Sequence, residues 1–99
     1  MKTIQVFINL DENQATVRIT WKLPIFQETR EGLRRFIIER DNGGFSAIEK
    51  RDDGLYEVNY LRTEKGYEPI QEQEIDKEDA CLIIRQALLN RFKEMEVLP

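Results

Sequence analysis

Two runs of strict apolar–polar alternation constrain this chain more than any other feature. Residues 3–10 put Ile4, Val6, Ile8 and Leu10 on one face and Thr3, Gln5, Phe7 and Asn9 on the other. In residues 15–23, Ala15, Val17, Ile19, Trp21 and Leu23 alternate with Thr16, Arg18, Thr20 and Lys22. A period of two in β-branched sequence is the signature of a strand with one buried face. The polar connector Asp11-Glu12-Asn13-Gln14 has hairpin length, so the two runs are read as a β-hairpin.

Pro24 ends the second run. From residue 25 to Arg40 a helical stripe can be drawn through Phe26, Thr29, Leu33, Phe36, Ile37 and Arg40, with Glu31 and Arg35 as an i,i+4 pair. Asp41-Asn42-Gly43-Gly44 suits a helix C-terminus, and the segment is read as a helix. Gly32 weighs against it. The same Asp-Asn-Gly-Gly would serve as a hairpin turn in a β-meander.

Phe45–Lys50 and Leu55–Thr63 read as a second hairpin about the Asp52-Asp53-Gly54 turn. Residues 64–79 hold seven Asp or Glu together with Gly66 and Pro69, and read as a solvated loop, with a brief edge strand around Ile70 as the alternative. A final helix starts at the N-cap Asp76. Its apolar stripe is Ala80, Ile83, Ile84, Ala87, Leu88, Phe92 and Met95.

These elements predict a single α+β domain over residues 1–99. Its expected architecture is a four-stranded antiparallel sheet from two β-hairpins, packed on one face by two helices in the order ββαββα. The expected core is Ile4, Val6, Ile8, Val17, Ile19, Trp21, Phe36, Val58, Ile84, Leu88 and Phe92.

The chain contains no histidine, which removes the commonest general base and metal ligand. Its single cysteine, Cys81, falls on the last helix and has no partner for an internal disulfide, so a reducing, cytoplasmic setting is expected. No glycine arrangement cradles a phosphate. The acidic stretch Glu72–Asp79 lacks the spacing of a calcium loop. No catalytic residue, cofactor or metal site is therefore expected, and neither is an enzyme. No secretion leader or membrane span is read from the sequence.

Two leucines give the clearest pointer to function. Leu82 and Leu89 are seven residues apart on the polar side of the last helix, nearly opposite its core stripe. Phe7, on the polar side of the first strand, is a weaker companion. The expected function is a non-catalytic protein–protein interaction or regulatory module, which docks a protein partner or forms a homodimer through Leu82, Leu89 and Phe7. The chain's own Val97-Leu98 tail is another surface that could cover them. The alternative is an accessory nucleic-acid-binding protein using the Arg18/Lys22 sheet face or the Arg30–Arg35 cluster, with Phe45, Tyr56 and Tyr60 as stacking platforms. A net charge of −4 disfavours that alternative.

Overall fold

A computed structural model describes residues 4–18, 21–41 and 43–97. Two antiparallel sheets and one helix replace the expected single sheet with two helices. The smaller sheet has the order β1-β2-β3, formed by Val6–Asn9, Gln14–Val17 and Trp21–Pro24. The larger is a five-stranded meander, β4-β5-β6-β7-β8, formed by Gln27–Glu28, Arg34–Glu39, Phe45–Arg51, Gly54–Thr63 and Gly66–Ile75. Helix α1 spans Lys77–Val97.

The run 15–23 is folded back on itself. Arg18 takes a left-handed φ of 59°, and Ala15 pairs with Leu23 and Val17 with Trp21. This register puts odd-numbered residues of both strands on one face, so the alternation survives. Ala15 and Val17 are buried. Trp21, expected in the core, is 46% exposed and makes a tilted ring contact with Phe92, centroids 5.1 Å apart. Ile19, Thr20, Asn42 and the side chain of Met95 lie outside what the structure describes.

Residues 25–40 form strands, which overturns the expected first helix. β4 and β5 are joined by a turn containing Gly32 at φ 81°, and Thr29 closes it by accepting the Leu33 amide on its side-chain oxygen at 3.2 Å. Asp-Asn-Gly-Gly is then a hairpin turn instead of a helix cap: Gly43 sits at φ 83° and the Arg40 amide donates to the Gly44 carbonyl at 3.1 Å. The β-branched pair Ile37-Ile38 favours this outcome, and neighbouring β6 supplies hydrogen bonds that an isolated helical stripe could not outweigh.

The expected loop at 64–79 is also overturned, because residues 66–75 are the edge strand β8. Being polar on both faces, it leaves no apolar period to detect. Pro69 sits where the register with β7 shifts and Ile70 is skipped, a position that tolerates the missing amide.

One buried cluster draws on both sheets and the helix. It contains Val6, Leu10, Ala15 and Val17 from the first hairpin, Ile25 and Phe26 from the connector, Phe36, Ile48 and Leu55 from the larger sheet, and Ala80, Ile84, Leu88 and Phe92 from α1. Ile4 and Ile8 pack against it half-buried. Val58 is buried elsewhere, on the opposite face of the larger sheet. Asp76 caps α1 as expected, accepting the Asp79 amide at 2.8 Å on its side chain and the Ala80 amide at 3.0 Å on its carbonyl.

Asn13 joins the small sheet to the connector. It holds a φ of 55°, and its side-chain amide donates to the Phe26 carbonyl at 3.1 Å while its Oδ1 accepts the Phe26 amide. Asn tolerates the left-handed region better than most residues and can grip a backbone both ways. Asn13→Ala is expected to cost about 1–3 kcal/mol through the two lost hydrogen bonds. The denaturant midpoint measures this, and a midpoint shift no larger than that of an exposed control such as Lys65→Ala would contradict it.

Candidate functional site

β1 is an edge strand of the smaller sheet, and beside it lies a groove of about 740 Å³. Ile4, Gln5, Val6 and Phe7 form one wall, and Leu82, Arg85, Gln86, Leu89 and Asn90 of α1 form the other. Ile38, Arg40 and Glu57 of the larger sheet close the third side. Strand period and helix period thus bring together the three residues singled out in the sequence.

Phe7 is 61% exposed and Leu82 is 51% exposed. Phe7 shares the outer face of its sheet with its cross-strand neighbours Thr16 and Lys22. Leu89 differs from them: it is half-buried and packs partly against the core. The Val97-Leu98 tail, considered above as a cover, falls outside the described side chains.

The polar end of the groove is organised by a hydrogen-bonded chain across the larger sheet. Arg40 Nε donates to Ser46 Oγ at 2.9 Å, Ser46 to Asn59 Oδ1 at 2.6 Å, and Asn59 to Gln71 Oε1 at 3.2 Å. Ser46 is buried, so this chain anchors the Arg40 guanidinium by its Nε edge. Glu57, the one acidic residue among the described residues of the lining, accepts from Gln73 Nε2 at 2.8 Å. Gln86 and Asn90 bond to each other at 2.9 Å.

A second polar cluster lies on the larger sheet's opposite face, and the sequence reading missed it. Glu49 is 2% exposed on central strand β6. Its Oε1 accepts from Arg51 at 3.0 Å and its Oε2 accepts the Tyr60 hydroxyl. Arg51 also pairs with Glu72 and stands over the Tyr56 ring at 4.2 Å. Phe45 stacks on Tyr60 at 4.7 Å, and Arg35 lies 5.4 Å from the centre of the Phe45 ring. Burial and the hydrogen bond to Glu49 push the Tyr60 phenol up to about 12. The same period of two that marks strands was the available signal: Phe45, Ala47, Glu49 and Arg51 share this face with Tyr56, Val58 and Tyr60.

The basic residues considered for nucleic acid are dispersed. Arg34 and Arg35 are consecutive on β5 and point to opposite faces, and Arg30 lies in the preceding turn. Among the described residues no group of three or more acidic or cysteine side chains could hold a metal ion, and Cys81 is free and half-buried. No helix among them is long and apolar enough to cross a membrane. No protein-family model, curated protein or solved structure matches the chain. The functional reading therefore rests on the chemistry of the groove.

Proposed function

We propose that this chain is a non-catalytic interaction module that docks another polypeptide in the groove between β1 and α1. The supporting observation is convergence. Phe7 and Leu82 are large apolar side chains on different elements, both more than half exposed, and they line one concavity with Leu89. Exposed apolar surface gathered in a concave site is the usual ground for recognition, whereas isolated exposed leucines need no explanation.

A photo-crosslinking residue placed at position 82 in the protein's own cells is expected to give a discrete adduct. Phe7→Asp should suppress that adduct, and a crosslinker at Lys65, in the exposed β7–β8 turn, should give none. No adduct at position 82, or one indifferent to Phe7→Asp, would remove this reading. Sedimentation over a range of concentrations separates a foreign partner from a second copy. Both altered side chains are largely solvated, so the substitutions should change folding stability by no more than about 0.5 kcal/mol.

A further inference from the structure

The groove contains an unused strand edge. The Arg18 amide donates to the Gln5 carbonyl at 3.0 Å, and Val6 faces Val17 across the ladder. In an antiparallel pair, hydrogen-bonded and non-hydrogen-bonded positions alternate. Gln5, Phe7 and Asn9 therefore direct their backbone groups toward β2, and Ile4, Val6 and Ile8 direct theirs outward. Among the described residues, no donor or acceptor meets the outward groups of Val6 and Ile8. Val6 lines the groove although it is only 5% exposed, and backbone polar groups left unpaired in so little water are costly.

The other sheet edges are protected in recognisable ways. β3 carries Lys22 and Pro24, and β4 is two residues long. β8 carries Pro69 with Glu68, Glu72 and Glu74. Charge, proline and shortness all discourage strand addition. β1 reads Val-Phe-Ile-Asn, with neither charge nor proline.

Charge sets the chemistry of the occupant. Among the described residues, Arg40 and Arg85 line the groove against one carboxylate, Glu57, which accepts from Gln73. On a chain of net charge −4 this lining is locally positive. We infer that the groove binds an extended peptide that adds as a strand to β1. It hydrogen-bonds the outward groups of Val6 and Ile8, lays apolar side chains on Phe7 and Leu82, and presents a carboxylate to Arg40 and Arg85. Strand addition gives affinity through the main chain and specificity through alternate side chains. A second copy is a poorer occupant, because a neighbouring β1 is uncharged and brings no carboxylate to the two arginines. This inference rests on the docking function proposed above and specifies its partner.

The test is to select from a displayed library of random linear peptides on the full-length chain, then measure synthetic copies of the enriched sequences. The expected peptides alternate apolar residues and include Asp or Glu. Leu82→Glu should abolish their binding, and Arg85→Glu should weaken it about tenfold, or 1.4 kcal/mol. N-methylating alternate peptide amides should weaken it at least as much, with the intervening positions tolerant. Binding that needs Leu82 and Phe7 but ignores N-methylation would overturn strand addition and leave the docking function standing. Peptides indifferent to Leu82→Glu would overturn both. Basic peptides, no enrichment, or a concentration-dependent dimer lost on Phe7→Asp would each overturn the acidic-strand occupant.

Discussion

Replacing Ile84 by alanine is expected to cost about 2–5 kcal/mol of folding stability, the range for removing a large aliphatic side chain from a packed core. Ile84 has no exposed surface and lies in the cluster where the helix meets both sheets. The cost should fall high in the range if the backbone cannot close the cavity, and α1 is held at its start by Asp76 and by the Lys77–Asp11 pair at 2.7 Å. Leu82→Glu, half a helical turn away, provides the contrast: the same helix gains a charge and stability stays nearly constant. Equilibrium denaturation of the two variants beside the parent chain measures the difference. Equal losses would mean that the exposed and buried faces of α1 have been misassigned.

Glu49 supports the second large effect. Glu49→Leu should destabilise by about 1–3 kcal/mol, because the Tyr60 hydroxyl and one side of Arg51 lose their acceptor. The loss is held below that of a fully buried ion pair because Arg51 is 32% exposed and keeps Glu72. Adding Tyr60→Phe to Glu49→Leu should recover part of the loss, since an unpaired hydroxyl is worse than none. A pH dependence follows from the phenol. Its pKa rises from the ordinary 10.0 to about 12 in the fold, so folding favours the protonated form. The resulting stabilisation is complete below pH about 10 and disappears as the pH climbs toward 12. Phenolate absorbance should show a tyrosine titrating near pH 12 in the parent protein that is lost in Tyr60→Phe, while Tyr56, raised by its hydrogen bond to Asp53, remains. A single ordinary tyrosine transition in the parent would refute the buried Tyr60–Glu49 contact.

The sequence and the structure agree where a period had only one interpretation. Ala15 and Val17 keep their core face although the run is split between two paired strands, because the register sets odd-numbered residues opposite one another. Ile84 and Leu88 lie where the helical stripe puts them. Agreement fails where local signals compete. Phe26 and Phe36 are both buried, which satisfies a helical stripe, yet Gly32 and Gly43 adopt positive φ in turns. The length of β8 was not legible beyond a brief edge strand around Ile70, because an edge strand with two wet faces shows no apolar alternation. Leu82 and Phe7 were legible as apolar side chains on polar faces. Their meeting was not, because it depends on the docking of α1 beside β1, and no local pattern encodes that angle. Glu49 escaped notice for a related reason: a lone carboxylate on a strand looks solvated until Tyr60 and Arg51 close over it.

The sheet order has a consequence for how the chain acquires its shape. Every strand pairs with a neighbour in sequence, so both meanders can zip from short loops at little entropic cost. The contact of α1 with β1 is different, since it joins the last element to the first. During synthesis the strands emerge before α1, so Val6, Phe36 and Ile48 wait for Ile84 and Leu88. The helix thus works as a closing latch, and the slow, exposure-prone interval of folding ends when it seats. The groove beside β1 is the margin that this latch leaves open.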